Sequence, residues 1–154
     1  MNTRILVPVS GPSSLEAVDR ALQIAAANAG LVTAVGLDGY WPVGVVRVSA
    51  PDISIVRRRD AVADAGREAR SRAVESGVDL EFVSREGSST DAIVDEARRC
   101  RADLIVVEEA MPWLARWARR GGARHLRRLT GREVLVVGRQ GGASAAEASR
   151  LSAA

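Results

Sequence analysis

The amino-acid sequence predicts an α/β domain built on a parallel five-stranded sheet with helices on both faces, and three observations predict it. Short apolar runs recur along the chain, among them ILVPV, LVTAVGL, LIVV and EVLVV, with the length and β-branched content of strands buried on both faces. Stretches with apolar residues at helical spacing separate these runs, and strands that alternate with helices form parallel sheets through right-handed crossovers. The chain has 154 residues, enough for one core that buries roughly two-thirds of the surface exposed by the unfolded chain.

Taken in order, Arg4–Val9 is the first buried strand, with Pro8 expected near its end because proline donates no ladder hydrogen bond. Ser13-x-x-Glu16 predicts a capping box, Leu15, Val18, Leu22 and Ala25 mark the buried face of the helix that follows, and Gly30 supplies its stop. Leu31–Leu37 is a second strand. A long loop with Asp38, Tyr40, Trp41 and Pro42 follows, a candidate wall of a site, and residues 43–48 are a candidate extra strand. Residues 52–76 read as a helix with Ile55, Val62, Ala65, Ala69 and Ala73 on one face, and Gly77 closes it. The run Arg57, Arg58 and Arg59 reads as a solvated face, since Asp60, Asp64 and Glu68 lie at helical-pair spacing.

Residues 78–83 alternate, with Val78, Leu80 and Phe82 on one side and Asp79 and Glu81 on the other, the pattern of a strand near the sheet edge. Ser88-x-x-Asp91 signals another helix start, and Ile93, Ala97 and Cys100 form its stripe. Residues 103–107 are the fourth strand, delivering its carboxyl end to Glu108 and Glu109. Gly121 and Gly122 precede a helix with Leu126 and Leu129, and residues 133–138 form the last strand. The expected organisation is one domain over residues 1–139 and a flexible tail over 140–154, whose many small residues show no apolar period.

Composition narrows the function classes. All 22 basic residues are arginine, and seven of them fall between Pro112 and Arg132, where there is no acid; the remainder carries 15 basic and 19 acidic side chains. The positive charge is therefore local. No apolar run approaches the roughly 20 residues of a bilayer span, the first nine residues lack a signal-peptide layout, and a cytoplasmic protein is expected. Cys100 is the single cysteine, so neither an internal disulfide nor a cysteine metal cluster is expected.

Four segments in this order resemble the universal stress protein family: ILVPVSGPSS at the start, Glu86 to Ile93 (EGSSTDAI), ADLIVV at 102–107, and VLVVGR at the end. The resemblance implies a flavodoxin-like sheet of order 3-2-1-4-5 and a homodimer joined through residues 133–138. ATP-binding members carry G-x-x-G, nine residues, then G-[S/T] after the fourth strand. At that spacing this chain has Glu108, Met111, Gly121 and Gly122. Phosphate needs close approach to backbone N–H groups, which glycine permits, whereas Glu108 adds a carboxylate and Met111 adds bulk. The family's acid at the end of the first strand corresponds to Ser10, and Gly11 is followed by Pro12, which has no N–H. Losses at both ends imply an abandoned ATP site, a vestigial cleft of Ser10, Gly11, Asp38, Glu108, Met111, Gly121 and Gly122 with no cofactor.

Other chemistry is weaker. Adjacent strand residues point to opposite faces, so Glu108 and Glu109 are a poor metal pair; the plainer expectation pairs them with Arg116, Arg119 or Arg120. Trp113, Leu114 and Trp117 share a helical face and read first as a hydrophobic lid, next as part of a partner-protein or acidic-partner surface over residues 113–132, and least as a membrane or nucleic-acid contact. His125 reads as an exposed helix residue, with no serine-nucleophile signature or P-loop to accompany it. The expected function is a non-catalytic regulatory or interaction module. The alternative is a nucleotide-binding sensor that takes AMP, a cyclic nucleotide or ATP in an altered pose on Gly121, Gly122 and Arg116 or Arg120.

Overall fold

The computed structural model describes residues 2–37, 53–85, 89–109 and 122–138, and the side chains of all of these except 53–58 and 89. Asp38, the loop after it with the candidate strand 43–48, Ser88, Met111, the segment 112–121 and the tail 140–154 lie outside the described residues.

Strands β1 (Arg4–Val9), β2 (Leu31–Leu37), β3 (Asp79–Arg85), β4 (Leu104–Glu108) and β5 (Glu133–Val137) pair in parallel in the order β3-β2-β1-β4-β5. Helices α1 (Leu15–Ala27), α2 (Ile53–Ser76), α3 (Ser89–Arg99) and α4 (Gly122–Thr130) connect them, with a 3-10 turn over Pro12–Ser14 ahead of α1. The predicted sheet order is present. Pro8 lies within β1, opposite Val35 on β2.

Period-two alternation sorts the core into two layers. Ile5, Val7 and Val9 on β1 join Val18, Leu22 and Ala25 of α1 and Ala65, Ala69 and Ala73 of α2, while Leu6 joins Ile93 and Ala97 of α3 and Leu126 of α4. On β4, Leu104 and Val106 belong to the first layer and Ile105 and Val107 to the second. That parity carries Glu108 toward the α1 side. β3 is an edge strand of alternating exposure, as the sequence pattern requires.

The C-terminal helix ends depart from the sequence reading at one point. Gly77 has φ 65° and ends α2 as expected, but at the end of α1 the left-handed residue is Ala29, with φ 48°. Gly30 serves close packing instead: a Cβ there would lie 2.6 Å from the Thr3 carbonyl oxygen.

Candidate functional site

Strand order reverses between β1 and β4, and in open α/β sheets the crevice outside the carboxyl ends at such a point is where ligands lie. Ser10 follows β1 and Glu108 ends β4 at this place. Ser13, Ser14 and Pro12 are brought in by the turn after Gly11, where proline suits the first position because a helix's first N–H groups have no intrahelical partner.

Glu108 is only 4% exposed. Its Oε1 accepts hydrogen bonds from the hydroxyls of Ser10 at 3.0 Å, Ser13 at 3.2 Å and Ser14 at 2.9 Å. Ser14 Oγ, itself fully buried, also accepts from the Ser10 backbone N–H at 3.0 Å. With both hydroxyl protons directed at Glu108, the 3.3 Å contact between Ser10 Oγ and Ser14 Oγ is left as a packing contact. The carboxylate thus sits beside the amino end of α1, where the partial positive charge of the helix favours an anion.

This arrangement replaces the expected capping box. The N-cap of α1 is Ser14, one residue later than the capping box requires, no side-chain cap bond forms, and the serine hydroxyls donate to the buried Glu108 carboxylate while Glu16 is exposed. Glu108 and Glu109 are both among the residues that line one cavity, Glu108 buried and Glu109 exposed. β4 ends at Glu108, and the Glu109 backbone N–H donates to the Val137 carbonyl at 2.9 Å. Gly138 leaves room for it, since a Cβ at that position would lie 3.0 Å from Glu109 Oε2.

The cavity has a volume of about 420 Å³ and is lined by Pro12, Ser13, Leu15, Glu16, Arg72, Glu108, Glu109 and Val137. Arg72 donates to Glu68 at 2.9 Å and to Asp19 at 2.7 Å. The Glu68 hydrogen bond, with Asp19 beside it, outweighs partial burial and pushes the guanidinium further above its ordinary value. Among the described residues no group of three His, Cys, Asp or Glu side chains is placed to hold a metal ion.

Of the seven sequence-predicted cleft residues, Ser10, Gly11 and Glu108 come together, Gly11 being buried with its carbonyl accepting from Ser14 N–H at 3.1 Å. Gly122 is buried at the start of α4. Asp38, Met111 and Gly121 lie outside the described residues, as do Arg116, Arg119 and Arg120, the expected partners of the acidic pair. His125 is half-buried, not exposed. Sequence reasoning missed the roles of Ser13 and Ser14, for which three serines in one strand-to-helix turn were the available signal.

It also missed Glu96, fully buried on α3. Arg85 grips its Oε2 through Nε at 3.0 Å and Nη2 at 2.9 Å, and Arg99 reaches its Oε1 at 2.6 Å and Glu81 at 3.1 Å. Burial pushes the Glu96 carboxyl up, but the hydrogen bonds from Arg99 and Arg85 together outweigh it and hold the group below the ordinary carboxylate range. Its position three residues after Ile93, on the inward stripe, was the signal. Cys100 is half-buried, and burial pushes its thiol up.

The universal stress protein family pattern matches residues 1–138. The chain belongs to the universal stress protein family. Among solved structures it is similar to a universal stress protein in complex with cAMP, at 26% identity and a TM-score of 0.64, with 88% of this chain and 96% of that one covered. Two further relatives show the shared fold. UspA from Lactobacillus plantarum is 24% identical with a TM-score of 0.62, covering 88% of this chain and 97% of the other. A family protein from Arabidopsis thaliana with AMP bound is 16% identical with a TM-score of 0.57, covering 94% of each. No curated protein matches the chain. This universal stress protein places a serine-held carboxylate at the switch point of its sheet, and among its described residues no helix is long and apolar enough to cross a membrane.

Proposed function

We propose that this chain is a non-catalytic regulatory or interaction module of its family that has lost ATP binding and works as a cytoplasmic homodimer joined through residues 133–138. Residues 1–139 form the working domain and 140–154 a tail. The observation that carries the reading is the Glu108 carboxylate, buried in hydroxyl donors at the strand end where a polyphosphate would have to approach. Two unit charges of like sign 4 Å apart repel by about 4 kcal/mol at an effective dielectric of 20, and Met111 adds bulk in the same motif. The neutral Ser10 hydroxyl, spent on Glu108, leaves no acid for a ribose there.

The test is a Glu108→Gly, Met111→Gly double variant titrated with ATP in a calorimeter. It should gain strong ATP affinity over a wild type that shows none; wild-type binding at an affinity the variant leaves unchanged would overturn the reading. The exposed arginines of α4, Arg124, Arg127 and Arg128, support a partner surface of acidic character within residues 113–132.

A nucleotide sensor is the second reading, favoured by the cAMP complex of the 26% identical relative. In that reading Gly121 and Gly122 cradle phosphate and Arg116 or Arg120 neutralises it. Mass spectrometry of denatured, freshly purified protein decides between them. Nucleotide carried through purification supports the sensor; a clean result, with no thermal shift on adding ATP, AMP or cyclic nucleotides, supports the module. A ligand at 100 times its dissociation constant stabilises a fold by about 2.7 kcal/mol, a readily measured shift.

A further inference from the structure

Acidic and basic side chains are mixed along most of this chain, but from Ala110 to Arg132 there are seven arginines and no acid. Within α4, Arg124, Arg127 and Arg128 are exposed, while Leu126 is fully buried in the second core layer. Helix electrostatics account for two of the three. Arg127 and Arg128 stand in the last turn, where the partial negative charge of the carbonyl end favours a cation. Arg124 stands in the first turn, at the opposite pole, and no acid accompanies it there. It also lies four residues before Arg128, a spacing at which like charges weaken a helix. Among the described residues the one ion pair on this face joins Arg127 to Glu133 at 3.0 Å, with both side chains more than half exposed, and exposed pairs are easily exchanged for others. Residues 110–121 bring three further arginines and no acid to the sequence, so their side chains cannot neutralise the face. Like charges gathered in this way are complemented by a surface of opposite sign on a partner.

Three anionic partners can be compared. A helix that lies on a membrane sinks its apolar face among the lipids, and in α4 that face is buried in the core at Leu126. The phosphates of a nucleic acid would take up the arginines but leave Leu129, next to Arg128 and 40% exposed, without a contact. An acidic protein helix uses both features. Carboxylates four residues apart on such a helix repeat at about 6 Å, the spacing of Arg124 and Arg128 along α4. Each guanidinium fork takes a carboxylate in two parallel hydrogen bonds, and an apolar neighbour covers Leu129.

We propose that α4 is a docking surface for an acidic amphipathic helix of a partner protein, with carboxylates on Arg124, Arg127 and Arg128 and an apolar side chain on Leu129. The assignment rests on the reading of this chain as an interaction module and names the chemistry of the partner.

Fluorescence anisotropy of the full chain tests it, with a labelled helical peptide of Glu and Ala that carries a Leu stripe. The same peptide with Gln for Glu, poly-U RNA and phosphatidylserine vesicles are the comparison probes. The Glu peptide should bind saturably, more weakly as salt rises, and the Gln peptide should not bind. Arg124→Glu combined with Arg128→Glu, both at exposed positions, should weaken the Glu peptide about tenfold or more with an unchanged circular dichroism spectrum. Glu133→Gln should strengthen it about twofold to fivefold by releasing Arg127, the size of one exposed ion pair, and misfolding cannot produce such a gain. No saturable binding of the Glu peptide by about 1 mM, an affinity unchanged in either variant, or tighter binding of the RNA or the vesicles would overturn the proposal. ATP binding by the wild type would instead overturn the module reading beneath it, whereas silence toward both ATP and the peptide would remove the docking surface alone.

Discussion

Phe82 inserts its ring edge between two backbones at which only glycine fits. A Cβ on Gly66 of α2 would lie 2.6 Å from the Phe82 Cζ, and one on Gly36 of β2 would lie 2.7 Å from the same atom and 2.8 Å from Val62 Cγ1. Glycine inside a helix ordinarily costs roughly 0.5–1 kcal/mol relative to alanine, so Gly66→Ala would stabilise an unobstructed helix. Here overpacking should win, and the variant should lose about 1–3 kcal/mol in urea unfolding. The loss should shrink in a Phe82→Leu background, because the clash is then removed. Arg70 lies 5.7 Å from the centroid of the same ring and holds its outer side. At Glu96 the prediction concerns pH. Its carboxyl is held low in the folded state, so unfolding takes up a proton once the pH falls toward the unfolded value of about 4.3. The contribution of Glu96 is fully present above that value and disappears as pH drops through the lower folded value. The stability gap between wild type and Glu96→Gln should therefore be constant near neutrality and close below about pH 4, measured by denaturant melts across pH.

Helix ends follow one geometry, and its exceptions are informative. After α1, α2 and α3 a left-handed residue is followed by an N–H that bonds back to the helix: Gly30 to Ala25 at 2.8 Å, Val78 to Ala73 at 3.0 Å and Ala102 to Ala97 at 3.0 Å. This is the Schellman pattern, which favours glycine at the left-handed position. Gly77 satisfies it, and Gly131 ends α4 in the simpler αL form, its own N–H bonding the Arg127 carbonyl at 2.8 Å, but Ala29 and Arg101 occupy the left-handed conformation with φ 48° and 51°. Ala29→Gly should stabilise the protein by about 0.5–1 kcal/mol by relieving the Cβ clash, read as a higher urea midpoint with an unchanged slope. Gly30→Ala should do the reverse, since its Cβ would strike the Thr3 carbonyl. A reading of glycines alone places the stop one residue late, because here the packing-limited position and the conformation-limited position are neighbours.

For the molecule as a whole, β3 and β5 are the two sheet edges, and they differ. β3 exposes Asp79, Glu81 and Arg85, charges that discourage edge-to-edge pairing, whereas β5 ends in half-buried Val136 and Val137. The proposed dimer uses the second. Val136→Arg should give monomers by light scattering while circular dichroism remains that of the wild type, and an unchanged dimer would remove residues 133–138 as the interface. The same topology explains the site. The three serines and Glu108 are 94 to 98 residues apart in sequence and meet only because β4 crosses back to lie beside β1.

That separation marks the boundary between what each level of description determined. Strand runs, helix stripes and the edge character of β3 were legible in the sequence, because apolar periodicity is a local property. The same local view led to a capping box at Ser13 and Glu16, and the tertiary structure decided otherwise. α1 starts at Leu15 with Ser14 as its N-cap, and the serine hydroxyls donate to a buried carboxylate that arrives from a distant strand. Hydrogen-bond donors go to the acceptor whose desolvation would otherwise cost most, and which acceptor that is depends on burial, a property only the folded chain possesses.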